Sequence, residues 1–495
     1  MPRAARSPES RARAPGVTRA RLVLPALRGR RGSFAHERPK IDAALAAGVG
    51  GFILFGGTRP LVTALTRALR RQAGRPLLLG ADLERGAAQQ VRGLTELPPP
   101  GALGFLDDLD ATRAAGMITA TEAHAAGLNW TFAPVCDLDV EPRNPIVQTR
   151  SFGAAPDRVG AHVVEWIRSC QDHGVLACAK HYPGHGRTTT DSHEGLPVVG
   201  TAAVELQQVD GFPFAQAISA GVGSVMTAHV AYPAWDASGA AATFSQPILG
   251  YLRDTLGFRG LVVTDAFIMA GATAAQSEGP AAAAAVTAGC DVLLYPTDWQ
   301  GVIQALDAVS ADRAQEAVAR VEQAAETWGK RNGEPVDDAT LAEHQRFAEG
   351  LGDRAVHLVR GEAPRLTAPP AVTIVDDDIG GPYSIPPRDV FAKTLADLGA
   401  GTTRPPTPGT RRRLVLVYAE PRSWKGRADL GERSLAQLER LVPGATLVVL
   451  FARPRLVAQI PGDMPVLCAW HGQGLMQRAA ARWVAGRVRG IAPRD

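Results

Sequence analysis

One repeated unit constrains this fold more than any other feature. Between about residues 20 and 300, short apolar runs, often β-branched, are each followed by a polar turn and then by an Ala-rich stretch with helical spacing. The runs fall at residues 21–26, 51–55, 76–80, 129–135, 174–179, 223–226, 260–264 and 291–295. Helical spacing fills the gaps, for example at 111–126, 157–172, 202–220 and 281–288. Strands that alternate with helices pair in parallel through right-handed crossovers. Eight such units predict an α/β chain with a (β/α)₈ TIM-like barrel over residues 20–327, with an open doubly wound sheet as the alternative.

The pattern changes after residue 325. Residues 328–370 read as a linker carrying a helical segment, and four further apolar runs follow at 371–375, 414–418, 445–451 and 465–469. Helical spacing lies between them at 389–398, 433–441 and 474–485. Residues 371–495 therefore predict a smaller C-terminal α/β sandwich, interrupted by a Pro-rich loop at 402–410. No solenoid-type repeat and no Walker or dinucleotide glycine motif is visible.

Charge and cysteine content narrow the function classes. The formal net charge is only +4, and much of the basic excess lies in the first 31 residues. Residues 1–19 read more simply as a disordered basic tail than as a nucleic-acid-binding patch. The first apolar run is short and contains Pro25, so no secretory signal is visible, and nothing approaches the ~18 apolar residues of a membrane span. The five cysteines, Cys136, Cys170, Cys178, Cys290 and Cys468, are odd in number and embedded in apolar segments. That usage predicts reduced core thiols and a cytoplasmic protein.

Polar residues gather where the predicted barrel strands end, the place where such barrels build their sites. They are Asp82 and Glu84, Asp137 and Asp139, Lys180 and His181, His229, and Asp265. The densest segment is Lys180-His181-Tyr182-Pro183-Gly184-His185-Gly186, followed four residues later by Asp191-Ser192-His193. Its glycines permit a tight backbone path that brings side chains together. Two chemistries fit. His181, His185, Asp191 and His193 could ligate a divalent metal. Alternatively, Asp191 could orient His193 as a general acid/base.

The whole segment resembles the K-H-[FY]-P-G-H-G…D-S-H signature of glycoside hydrolase family 3 β-N-acetylglucosaminidases (β-N-acetylhexosaminidases). The strand-ending Val262-Val263-Thr264-Asp265 is similar to the segment that carries the family's nucleophile. Further likenesses fall at 132–139, 150–153, 226–229 and 289–293, covering residues 45–296. The resemblance implies a retaining exo-glycosidase that needs no cofactor and no resident metal. Asp265 would be the nucleophile, His193 the acid/base and Asp191 its orienting partner. Asp82, Arg150, Lys180 and His181 would bind sugar hydroxyls. The partner would be a carbohydrate, an N-acetylglucosaminide from cell-wall fragments or oligosaccharides, rather than nucleic acid or membrane.

Two departures stand out. The family's Asp-x-Glu-Gly-Gly is here Asp82-Leu83-Glu84-Arg85-Gly86, which displaces the following arginine, Arg92, and the usual second acidic residue after the nucleophile is Ala266. Glu84 is expected to act only behind the sugar ligands, and the plainer alternative for Arg150 is a structural pairing with Asp137 or Asp139. A phosphorylase using the same dyad, and a metal-dependent hydrolase, are the alternatives.

Overall fold

The computed structural model describes residues 18–273, 276–330, 333–366, 368–381, 385–401 and 413–488. Strands β1 (Val23–Leu24) and β2 (Ala26–Arg28) are one apolar run divided at Pro25, whose nitrogen has no hydrogen to give a ladder. From β2 the parallel pairing passes to β3 (Gly51–Phe55), β4 (Leu78–Ala81) and β5 (Trp130–Thr131). A second parallel set joins β6 (Cys178–Tyr182), β7 (Ser224–Thr227) and β8 (Leu261–Thr264). Strand β9 (Leu293–Leu294) pairs in parallel with β1. Single bridges, Trp130 to Leu176 and Val135 to Lys180, link the two sets, and Val263 to Val292 links β8 to the approach to β9. Every residue of β4, β6, β7 and β8 is buried, as strands covered on both faces require.

Two elements differ from expectation in ways that matter for the site. Strand β6 begins at Cys178 and runs through Tyr182, so Lys180 and His181 belong to the strand itself. The stretch 202–220 is three pieces: Ala203–Glu205, a π-helical turn Leu206–Asp210, and Phe212–Ser219. Pro213, in the first turn of the last piece, cannot supply the N–H that a continuous helix needs.

The C-terminal sheet has the order β10–β14–β13–β12–β11. Strands β11 (Ala371–Asp376), β12 (Arg413–Tyr418), β13 (Ala445–Phe451) and β14 (Val466–Cys468) run parallel, and β10 (His357–Arg360) is an antiparallel edge. Strand β10 lies within the stretch expected to be linker. Its four residues are all half-buried and give no apolar pattern to read. Alternate residues divide the sheet between two cores. Leu414, Leu416, Leu447 and Val449 join the large core that runs back into the N-terminal strands. Val415, Val417, Val448 and Leu450 pack instead with Leu438 of the helix Glu432–Leu441.

Contacts between the two halves are polar as well as apolar. Phe105 stacks on His357 at 3.8 Å, and Arg455 pairs with Asp139 at 3.1 Å. The predicted tail residues 1–17 and the Pro-rich loop 402–410 lie outside the described residues. Arg19, assigned to that tail by sequence, opens a short helix and pairs with Asp307 at 2.9 Å. Among the described residues no helix is long and apolar enough to cross a membrane. All five cysteines are buried and free.

Candidate active site

The loop after β6 is held by close backbone approach. A Cβ on Gly186 would stand 2.0 Å from the Leu138 carbonyl oxygen, so only glycine fits there. Gly184, at φ +137°, faces Asp210, and Tyr232 Oη donates to its carbonyl at 2.7 Å. The Lys180–His181 peptide bond is cis. Asp137, fully buried, accepts from His181 Nδ1 at 2.7 Å and from the His185 N–H at 2.6 Å. Burial pushes the Asp137 carboxyl up, but His181 and His185 outweigh it and hold it below the usual range.

With Nδ1 committed to Asp137, His181 turns Nε2 toward Asp265 Oδ2, 4.0 Å away. Asp265 Oδ1 accepts from the Ala266 N–H at 2.7 Å. Burial pushes this carboxyl up, yet His181, His229, the Ala266 N–H and His193 together bring it down to about 2. Asp265 is therefore an ionised carboxylate set among imidazoles, the state a nucleophile needs. His229, buried, is held through Nδ1 to Thr243 Oγ1 at 2.9 Å.

The second half of the motif folds back beside it. Asp191, fully buried, accepts at Oδ1 from both the His193 N–H, at 2.9 Å, and His193 Nδ1, at 2.7 Å. A carboxylate can only accept, so Nδ1 carries the hydrogen and Nε2 is left as the ring atom for proton exchange. His193 is about one-third exposed, at 35%, which suits a group that must meet solvent and substrate in turn. The site thus brings together an ionised carboxylate and an oriented imidazole, groups chemically able to act as a nucleophile and a proton-transfer partner.

Glu84 holds the cationic side of the site together. It binds Arg150 at 2.8 and 2.9 Å through both oxygens, and Lys180 Nζ at 2.7 Å. Lys180 also reaches Asp82 at 2.9 Å. Burial pushes the Glu84 carboxyl up, but Arg150 and Lys180 overcome it and hold it well below the carboxylate range. Arg150 thus pairs with Glu84, not with the alternative partners Asp137 or Asp139: Asp137 serves the histidines and Asp139 pairs with Arg455. Arg92 is exposed, and its backbone bonds to Gly57 and Arg59. Replacing Glu84 with Gln would leave buried Lys180 and half-buried Arg150 short of their shared anion. The expected loss is up to about 3–5 kcal/mol in urea unfolding, the scale for breaking a buried ion pair.

The ring atoms that a metal would need are largely engaged. His185 bonds Thr188 Oγ1 at 2.8 Å and Ser192 Oγ at 3.2 Å, and burial pulls its pKa down to about 4. Among the described residues, no group of three or more His, Cys, Asp or Glu side chains is placed to hold a metal ion.

Residues 32–327 match the family described as glycosyl hydrolase family 3 N terminal domain. The chain belongs to glycosyl hydrolase family 3. A relative named beta-N-acetylglucosaminidase/beta-glucosidase, from Cellulomonas fimi, is 32% identical over 413 residues, covering 75% of this chain and 73% of its own. A beta-hexosaminidase of Chromobacterium violaceum is 35% identical over 328 residues, covering 63% of this chain and 90% of its own. Among solved structures, a family 3 beta-N-acetylglucosaminidase from Paenibacillus sp. str. FPU-7 is similar with a TM-score of 0.83 and 26% identity, covering 96% of this chain and 97% of its own. A beta-glucoside phosphorylase shares the fold, with a TM-score of 0.82 at 22% identity, covering 96% of this chain and 92% of its own. This family 3 chain is a glycoside hydrolase.

Proposed function

We propose that this family 3 hydrolase removes terminal β-linked N-acetylglucosamine with retention of configuration. The observation that carries the reading is the Asp191–His193 pair beside an ionised Asp265. In the first step Asp265 attacks the anomeric carbon. The glycosidic C–O bond breaks, and the departing oxygen takes the proton from His193 Nε2. In the second step water gives a proton to His193 and attacks the same carbon, which restores the Asp265 carboxylate. A histidine in this role avoids a second carboxylate near the nucleophile, where like charges would raise one pKa. Lys180, Arg150, Asp82 and His181 line the sugar-binding side, where charge-assisted hydrogen bonds orient hydroxyls.

The catalytic unit is proposed to be a closed (β/α)₈ barrel over residues 20–327. Parallel pairing of β9 with β1, and the bridges that join the two strand sets, support closure. The C-terminal sheet is proposed as an α/β sandwich, supported by its two separate cores. Five buried free thiols support a cytoplasmic setting, and cell-wall fragments are the proposed natural substrate.

The test compares an aryl β-N-acetylglucosaminide with the matching aryl β-glucoside. Faster turnover of the acetamido sugar is expected, and activity on neither would sink the proposal. Inorganic phosphate is the control for the acceptor, because neutral imidazole does not repel an anion as a carboxylate would. Turnover accelerated by phosphate, yielding a sugar phosphate, would reassign the chain as a phosphorylase.

A further inference from the structure

The β4 loop departs from its family's glycine at Arg85, and the structure gives that arginine a partner in the other half of the molecule. Arg85 Nη1 donates to Gln473 Oε1 at 2.6 Å, 388 residues away in sequence. Gln473 returns through Nε2 to the Leu97 carbonyl at 2.6 Å. Glu96 accepts from the Leu475 N–H at 2.8 Å. The guanidinium lies in the combined field of Glu420, Glu84 and Glu96, opposed by Arg422. The segment from Arg85 to Leu97 is also closed on itself, because the Leu97 N–H donates to the Arg85 carbonyl at 3.0 Å. Directly before it stand Asp82 and Glu84, which hold Lys180 and Arg150. The same C-terminal half meets the loop of the acid/base pair, where Glu194 packs on Gly426 so closely that a Cβ there would lie 2.6 Å from its carboxylate.

We infer that Arg85 is a positioning residue: bridged to Gln473, it lets the C-terminal half set where Glu84 holds Lys180 and Arg150. This rests on the proposed sugar-binding role of those two cations. A glycine here would leave the start of the loop unfastened, with only its far end, Glu96 and Leu97, bonded to the C-terminal half. An arginine fastens it, so the C-terminal half becomes a working part of the sugar site. The effect belongs to binding in ground state and transition state alike, because Lys180 and Arg150 would touch hydroxyls that do not react.

The test uses the full chain with Arg85→Ala, Gln473→Ala and the double variant, assayed on the aryl β-N-acetylglucosaminide. Each single change is expected to raise KM about tenfold, the cost of one hydrogen bond to a charged group, with kcat nearly unchanged. The double variant should be no worse than either single one, and Arg85→Lys should recover part of the loss. Arg482→Ala, which cuts a surface pair with Asp353 at 2.8 Å, should leave KM unchanged. Hydrogen exchange gives a second measurement that needs no substrate: amides of residues 85–97 should exchange faster in both single variants. Unchanged KM with lowered melting temperature alone, additive KM effects, or unchanged exchange would each overturn the inference. An inactive wild-type chain would instead defeat the functional proposal, and the exchange experiment would still decide the Arg85–Gln473 coupling.

Discussion

Replacing Asp265 with alanine is expected to lower kcat by about 10⁵-fold, the scale on which removal of a nucleophile acts. The loss should appear in kcat with little change in KM, because the residues proposed to bind sugar hydroxyls remain in place. Its environment also sets the pH behaviour. Burial alone would raise the carboxyl, but the surrounding histidines and the Ala266 N–H bring it down to about 2. Asp265 is therefore ionised at neutral and mildly acidic pH. An acid limb in kcat/KM above about pH 3 would have to come from another group, since a depressed carboxyl loses its charge only as pH falls through its own folded value. Asp265→Asn, of nearly the same shape but without the charge, should fail as completely as alanine. If instead it kept more than about one-hundredth of wild-type turnover, the nucleophile would have to be another group.

The second large effect belongs to His193. Its alanine variant should lose about 10²–10⁴ in turnover of substrates whose leaving oxygen needs a proton. A dinitrophenyl glycoside, whose leaving group departs as a stable anion, should suffer much less in the first chemical step. The second step still needs a base to take the proton from water, so a burst of dinitrophenolate followed by slow turnover is expected. Azide, an anion that requires no base, should restore that turnover and yield the β-glycosyl azide. Asp191→Ala should follow the same pattern more weakly, because Asp191 holds His193 Nδ1 through a 2.7 Å hydrogen bond and would touch no reacting atom itself. Equal losses across all leaving groups would assign His193 a purely structural role.

How much of this site could be read from sequence depended on distance along the chain. The Asp191–His193 pair is two residues apart, and the backbone between them closes the hydrogen bond, so the local motif carried its own geometry. The glycines of the β6 loop were legible for the same reason, since a tight path needs them whatever packs around it. Glu84 meets Arg150 across 66 residues and Asp137 meets His181 across 44, and no local pattern specifies such pairs. The strand-end rule put Glu84, Asp137 and His181 in one region and the resemblance added Arg150, but neither could say which acid served which base. Glu84 reads from sequence as standing behind the proposed sugar ligands, and it is the shared anion of Arg150 and Lys180. His229 was marked as one more strand-end residue, and its place beside Asp265 needed the structure.

Secondary structure followed the same logic. Strands buried on both faces, such as β3 and β13, gave uninterrupted apolar runs and were read to the residue. Half-buried β10 gave none, because an edge strand with all four residues partly exposed has no face for sequence to mark. The Arg85 departure was visible as a departure only. Its partner Gln473 lies nearly four hundred residues on, at the start of the helix Gly474–Ala485 in the other half of the molecule.

The most direct test of the central claim is to trap the covalent intermediate. A ring-fluorinated N-acetylglucosaminyl fluoride combines a good leaving group with a destabilised oxocarbenium-like transition state, so the ester should form and then persist. After digestion, mass spectrometry should find one sugar attached to the peptide that contains Asp265, and the His193→Ala variant should still become labelled. Sugar attached to a different residue, or turnover continuing with no labelled peptide, would contradict the account.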